Sequence, residues 1–344
     1  MASNNFVVAS LPAYVEQNKE LLLKNFGLVG TDTRRRGITI QTGVKTSEYI
    51  NYLEIDPELA DGSTCGFQAQ GTMTLTQRKI NTKAIKVNMD VCDKTLLGKY
   101  PEYLLRITAS GNDLPFEQYI VDGILAEINK KIEKLIWQGD TSSSDTDLKW
   151  IDGWLEIAKD ESDVVDVSVA SGASAYAGLL QVYMSMPEEV LEREPRIFVS
   201  PAIYRAFLQE MVSLNLYHYP GPSDNSFPEE YFLPGSNCRV VYTPGLSGKL
   251  QVVGTFARNM VYGCDIEGAT EDIKIWYSDD DELFKIKVLW NSGVQFAFPN
   301  FVVLGTFAAN PVSPSAQSAN LAAIAASVAN LDSENKVFKT QAQS

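Results

Sequence analysis

Apolar residues recur every four positions through one long stretch of the chain, Asp113 to Gly139. Phe116, Ile120, Ile124, Ile128, Ile132 and Ile136 form a stripe, and Val121, Leu125 and Leu135 widen it. That period predicts an amphipathic helix. Asp113 suits its cap, Pro115 suits the first turn, where a missing N–H costs nothing, and Gly139 suits a left-handed stop. At about 1.5 Å per residue the rod is on the order of 36 Å long. The far face carries Glu127, Lys130, Lys131, Glu133 and Lys134, which predicts contact with water or a charged partner.

Upstream the period changes from four to two. Tyr49, Ile50, Tyr52, Leu53 and Ile55 supply one strand, and the Pro/Gly/Asp/Ser cluster at 56–66 supplies a turn. Phe67, Ala69, Gly71, Met73 and Leu75 then alternate with Gln68, Gln70, Thr72, Thr74 and Thr76, and Ile85, Val87, Met89 and Val91 continue that period. Residues 46–92 therefore read as an extended β excursion. Two strands alone are marginal in water, so this one needs another surface to lie on. Residues 1–45 read as an arm: Leu11, Val15, Leu21, Leu22, Leu23 and Phe26 suit a short amphipathic helix, and three glycines with Arg34, Arg35 and Arg36 break any regular pattern. The three arginines are either a solvated turn or a contact with an acidic surface on a neighbouring copy.

Downstream of the long helix, residues 139–150 form a polar loop and Ile151 to Leu155 re-enter structure. A helix is predicted from Ser174 to about Glu192, with Tyr176, Leu179, Leu180, Tyr183 and Met184 on one face. Arg196 to Val199 is a short buried strand, and Ser200-Pro201 caps a helix carrying Ile203, Phe207, Leu208 and Met211. Residues 214–236 are rich in proline, glycine and aromatics and read as a long loop of the functional kind. Six strands follow: Arg239–Thr243, Leu250–Phe256, Met260–Asp265, Asp272–Ser278, Leu283–Trp290 and Gln295–Leu304. Ile273, Ile275 and Tyr277 answer Phe284, Ile286 and Val288 across the Asp279-Asp280-Asp281 turn, a hairpin signature. From Ala308 the chain is an Ala/Ser/Asn/Gln tail that reads either as disordered or as a weak helix carried by Leu321, Ile324, Val328 and Leu331.

The formal charge is -14 across 344 residues, which disfavours a nucleic-acid reader with its usual basic face. No apolar run approaches the length of a membrane span, and the N-terminus lacks the pattern of a signal peptide. Cys65, Cys92, Cys238 and Cys264 are scattered without a CxxC pair, against both zinc and a disulfide framework, so a reducing compartment is expected. The single histidine, His218, sits in the long loop with no evident partner. Adjacent acidic pairs such as Glu188/Glu189 point different ways in a helix or strand and make poor acid/base couples. The acidic turn at 279–282 lacks the alternating spacing of a calcium loop. No catalytic, metal or cofactor motif is found, and no enzyme is expected.

The order of the parts is the informative feature. An arm, a long β excursion, a long helix ending in IEKLIWQGD with the re-entry IDGWL, the strand–helix EPRIFVSPAIYRAFLQEM, and the closing strands VVGTFARNMVYGCDIEG and IKIWYSDDDELFKIKVLW resemble the major capsid protein of tailed bacteriophages. The resemblance implies an α+β, Hong Kong 97-type capsid fold. Its parts would be an N-terminal arm (1–45), an extended loop (46–92), a peripheral domain with the spine helix (93–154, helix 113–139), an axial domain (155–248), closing peripheral strands (249–307) and a C-terminal tail (308–344).

The resemblance further implies hexamers and pentamers closing into an icosahedral shell around double-stranded DNA, assembled in a bacterial cytoplasm. Candidate contacts between copies are Arg34, Arg35, Arg36, Lys79, Lys83, Lys130, Lys134, His218, Asp279, Asp280 and Asp281. The expected partners are other copies of the chain, a separate scaffolding protein because the arm starts almost at Met1, a portal, and packaged DNA held without sequence-specific contacts. No membrane partner and no cofactor are expected. Some relatives cross-link lysine to asparagine. Lys79, Lys83 and Lys86 lie in the corresponding region, yet no catalytic Glu can be assigned and no cross-link is expected. The alternatives are an encapsulin-type nanocompartment, a phage tail protein, and a β-rich carbohydrate-active or carbohydrate-binding protein that stacks Trp137, Trp150, Trp154, Trp276 or Trp290 on sugar.

Overall fold

The computed structural model describes residues 33, 37–59, 71–92, 116–216, 230–265, 272–278, 280–281, 283–309 and 311. The chain divides into two units, each assembled from separated segments: 1–162 with 257–299, and 163–256 with 300–344.

The first unit is built on one long strand. In chain order its strands are β1 (Thr39–Gln41), β2 (Ser47–Asp56), β3 (Thr72–Asn81), β4 (Lys83–Cys92), β10 (Met260–Gly263), β11 (Asp272–Ser278) and β12 (Leu283–Phe296). β12 pairs antiparallel with β4 along ten residues, with β11 on its other edge, and with β10 at its far end, where β1 joins in parallel. The register sets Ile273 opposite Val288, Ile275 opposite Ile286 and Tyr277 opposite Phe284, as the alternating pattern predicts. Phe284, Ile286, Val288 and Trp290 are all buried, and the same face continues to the buried Ser292.

Among the described residues this unit also holds the helices α1 (Phe116–Gln138) and α2 (Trp154–Asp160). Val121, Leu125, Ile128, Ile132, Leu135 and Ile136 of the predicted stripe are buried, and Ile124 is half-buried. Asp113 and Pro115 lie outside the described residues. Glu133 departs from the predicted charged face: it is buried, and its carboxylate accepts hydrogen bonds from Thr33. Gly139 does not take the left-handed conformation expected of it. A Cβ there would collide with the Ile151 carbonyl and sit 2.6 Å from the Leu135 carbonyl, so close backbone approach is what requires glycine.

The second unit is a six-stranded sheet in the order β5-β13-β9-β6-β8-β7. Its strands are β5 (Val165–Val169), β6 (Pro195–Val199), β7 (Glu230–Phe232), β8 (Arg239–Tyr242), β9 (Gln251–Phe256) and β13 (Val303–Phe307), with helices α3 (Ala175–Met184), α4 (Glu188–Leu191) and α5 (Pro201–Ser213). β5–β13 and β6–β8 are parallel and the remaining pairs antiparallel. Ser200 caps α5 by accepting from the Ile203 N–H, with Pro201 in the first turn, as expected from sequence.

Several predicted elements are redrawn. The helix expected over 174–192 breaks into α3 and α4 because Pro187 cannot continue the first. The strand expected over 295–304 is two strands, β12 and β13, separated by a 3₁₀ turn at Pro299–Phe301. Within the reading of 46–92 as one excursion, only β2 and β3 form a separate two-stranded ribbon, whereas β4 is a full member of the β12 sheet. Within 249–307, β9 and β13 belong to the second unit's sheet. β1 emerges from the arm, β7 from the long loop, and β5 where no strand was predicted.

Candidate assembly surface

The β2–β3 ribbon is anchored at one end, and beyond that end its described side chains are mostly exposed. At its base Ile80 is fully buried with Val44, Val261 and Ala297. The Thr82 N–H donates to the Thr46 carbonyl at 2.9 Å, and Thr82 Oγ1 donates to the Val44 carbonyl at 3.1 Å. Arg78, largely buried, pairs with Glu161 at the end of α2 and donates to Gln295 Oε1 at 3.3 Å. Beyond these anchors the register places Tyr49 opposite Lys79, Leu53 opposite Leu75 and Ile55 opposite Met73, so Tyr49, Lys79, Leu75, Ile55 and Met73 share one face. On that face Tyr49 is 57% exposed, Ile55 56%, Met73 68% and Leu75 60%. The exposed Asn51–Gln77 pair separates Tyr49 from the apolar end made by Ile55, Met73 and Leu75, and an exposed apolar patch of that kind marks a surface suited to being covered.

The end of α1 is held by buried aromatic packing and hydrogen bonds. Trp137 and Trp154, both fully buried, meet edge to face with ring centres 5.0 Å apart. Each indole N–H is satisfied: Trp137 Nε1 donates to Thr33 Oγ1 at 2.8 Å, and Trp154 Nε1 donates to the Gln295 carbonyl at 3.3 Å. Thr33 thereby joins the arm to α1 through both Trp137 and Glu133. The loop after α1 is closed by the Gly153 N–H donating to the Gly139 carbonyl at 2.9 Å, and by Asp140 and Asp152 side chains bonding Ser142 and Thr141. The Ser142 hydrogen bonds hold the Asp140 carboxyl below its ordinary range.

The charged residues expected at contacts are spread over separate elements of the first unit. Lys79 is exposed on β3, and its carbonyl accepts from Gln295 Nε2 at 3.2 Å. Lys83 begins β4 with its ammonium 5.5 Å from the centre of the Trp150 ring. Lys130 and Lys134 are exposed on α1, Lys130 pairing with Glu127 at 2.5 Å. Asp280 and Asp281 are exposed in the β11–β12 turn. Lys285 bonds Asp281 and, with Ser278, lowers its pKa. Arg34, Arg35, Arg36, His218 and Asp279 lie outside the described residues.

The structure does not gather these charges into one site. The larger exposed feature is the apolar strip, already visible as alternation in the sequence, and among the described residues nothing covers it. Among the described residues no group of three or more His, Cys, Asp or Glu is placed to hold a metal, and no helix is long and apolar enough to cross a membrane. Of the five tryptophans, Trp137, Trp154 and Trp290 are buried in the core; Trp150 and Trp276 are exposed.

No family model matches the sequence, and no curated protein does. Solved structures do. A chain of the satellite phage P4 procapsid, a structure that includes the size determination (Sid) protein, superposes with a TM-score of 0.54 at 12% identity, covering 85% of this chain and 99% of that one. The fold is the Hong Kong 97-type capsid fold. A chain of Gordonia phage Cozz agrees, with a TM-score of 0.50 at 13% identity and coverage of 79% and 84%. So does one of Microbacterium phage Oxtober96, with a TM-score of 0.50 at 10% identity and coverage of 80% and 91%. The capsid fold accounts for α1 as its long spine helix and for the β2–β3 ribbon as its extended loop. The resemblance read from the order of parts in the sequence is thus present in three dimensions.

Proposed function

We propose that this chain is the major capsid protein of a tailed phage, a non-enzymatic subunit that forms hexamers and pentamers and closes into an icosahedral shell around double-stranded DNA. The observation that carries this reading is the β2–β3 ribbon, with Tyr49, Ile55, Met73 and Leu75 all more than half exposed on one face. Such a strip is stable in water only under another surface, and a neighbouring copy supplies one in every position of a closed shell. In this reading the first unit is the peripheral domain with its arm and extended loop, and the second is the axial domain at the fivefold and sixfold axes. Lys130, Lys134, Asp280 and Asp281 are contacts between copies, secondary to the apolar strip because exposed ion pairs contribute little. A scaffolding protein and a portal are separate partners, and the net charge of -14 keeps the wall from adhering to packaged DNA.

Electron microscopy and sedimentation of the purified chain, alone and co-expressed with its neighbouring genes, test this. Closed icosahedral particles containing DNA are expected when the packaging genes are present. A monomer or small oligomer under every condition overturns the shell reading. Closed particles filled with a protein cargo overturn the phage assignment in favour of a nanocompartment.

A further inference from the structure

A second exposed surface lies within the first unit, beside the spine helix. Between β4, α1 and the turn at 146–150 runs a groove of about 1010 Å³, at the top of the range for small-molecule sites. Four consecutive residues of β4, Lys86 to Met89, line it. Side chains alternate between the two faces of a strand, so an unbroken run means that the groove follows an edge of β4 as well as one face. One edge of β4 is paired with β12, and among the described residues nothing pairs with the other. Val87 and Met89, on one face of the strand, line the groove together with Ile124 and Ile128 of α1. Met89 is 40% exposed and Ile124 half-buried, so this apolar lining is open to solvent.

Positive charge collects at one end. Trp150 is held by its indole N–H, which donates to the Thr146 carbonyl at 2.9 Å. Lys83 and Lys149 place their ammonium groups 5.5 and 5.3 Å from the centre of that ring, and Lys86 lines the same groove. The nearby carboxylates are already engaged, Asp147 with Lys131 at 2.9 Å and Glu127 with Lys130 at 2.5 Å. Among the described residues no carboxylate pairs with Lys83, Lys86 or Lys149. In a chain of formal charge -14 these lysines make a local field opposite in sign to the whole.

Each feature selects part of an occupant. An open strand edge offers backbone N–H and C=O groups that an extended chain satisfies by adding as a further strand. An apolar lining suits alternate apolar side chains of such a strand and gives phosphates and sugars nothing to bond, which favours a polypeptide over a nucleic acid. The lysines at the Trp150 end call for carboxylates there.

We propose that this groove takes an extended acidic and apolar segment of a partner protein, which pairs with the open edge of β4 and sets its carboxylates at the end formed by Lys83, Trp150 and Lys149. Alternate apolar side chains of the segment lie against Val87, Met89 and Ile124. The site does not depend on the shell reading, because every residue of it lies in one unit of one chain.

Selection from a library of random linear peptides against the full-length chain tests this. Enriched sequences should alternate apolar and polar residues and carry Asp or Glu at one end. A selected peptide should bind the double variant Lys83→Glu, Lys149→Glu at least about tenfold more weakly than the parent, at unchanged melting temperature. Its analogue with lysine for each acidic residue should regain affinity for that variant. Methylating alternate backbone amides of the peptide should abolish binding in one alternation and spare it in the other, because only one set faces the strand. If the double variant does not fold, Met89→Asp takes its place, with the same loss expected. Enrichment of nothing, or of sequences without acidic residues, overturns the proposal. So does equal binding to parent and folded variant, or binding that survives both methylation patterns. A DNA oligonucleotide that displaces the peptide and binds more tightly through the same lysines overturns it in favour of a nucleic-acid site.

Discussion

Removing one side chain from the apolar strip separates assembly from folding. Leu75 lies on β3 directly opposite Leu53 and is 60% exposed. Fully burying a leucine contributes about 1.5–3 kcal/mol, so covering its remaining exposed part contributes about 1–2 kcal/mol. Alanine keeps the Cβ and the ladder hydrogen bonds, so Leu75→Ala should cost about 1 kcal/mol per subunit contact, or about fivefold in the concentration needed for assembly. Each subunit carries one ribbon, so the triple change Ile55→Ala, Met73→Ala and Leu75→Ala should raise the threshold on the order of 100-fold, about 3 kcal/mol. Light scattering against protein concentration gives the threshold, and thermal melting of unassembled subunits gives the fold. Ile80→Ala is the contrasting control, because Ile80 is fully buried at the ribbon's base. It should lower subunit stability by about 2–5 kcal/mol. The reasoning fails if Leu75→Ala leaves the threshold where it was, or if it lowers subunit melting as far as Ile80→Ala does.

Gly139→Ala drives a methyl group into the Ile151 and Leu135 carbonyls, backbone that cannot rotate away, and should destabilise the first unit by about 2–4 kcal/mol in urea unfolding. Thr33→Val removes the acceptor of Trp137 Nε1 and a donor to buried Glu133, with an expected loss of about 2–3 kcal/mol by the same measurement. Burial pushes the Cys238 thiol up to about 12. The unfolded thiol ionises near 9 while the folded one keeps its proton, so this contribution to stability is intact below pH 9 and is lost as the pH rises from 9 through 12. Urea midpoints across that range should fall for the parent chain and fall less for Cys238→Ala, and thiol-alkylating reagents at pH 8 should label Cys238 only with unfolding.

The parts of the fold with a strict local period were legible from the sequence. The α1 stripe, the β11–β12 register and the Ser200-Pro201 helix start all rest on one repeating contact or one cap, which neighbouring residues encode. The misreadings share a different cause. Glu133 was placed on the solvent face by its charge, but the partner that buries it is Thr33, one hundred positions away. On α3 the sequence points to the large side chains Tyr183 and Met184, whereas the buried face is Ala175, Gly178, Leu179 and Val182. There Gly178 lets Phe307 approach so closely that a Cβ would sit 2.6 Å from its ring. Small residues signal burial only when the partner across the contact is known. β5 was missed although Val165, Val167 and Val169 alternate, because its neighbour β13 arrives 138 residues later in the register Val165–Val303. The candidate contacts were nominated by charge. The alternation of Tyr49, Ile55, Met73 and Leu75 is plain in the sequence, and only their exposure among the described residues distinguishes this face from a core face.

The strand order also sets a timetable for synthesis. The β2–β3 ribbon is complete once residue 81 has been made, but β12, which organises its sheet, ends at Phe296, and β13, which sits second in the other sheet, ends at Phe307. At roughly 5–20 residues per second a ribosome needs on the order of 10–40 s to travel between those points. Through that interval the sticky ribbon exists on a nascent chain whose two sheets are both missing an interior strand. If the chain forms the proposed shell, no half-made chain offers a finished surface for the ribbon, and nascent chains on one message should not nucleate assembly before release. With both interior strands encoded late, each sheet closes only when the polypeptide is nearly complete.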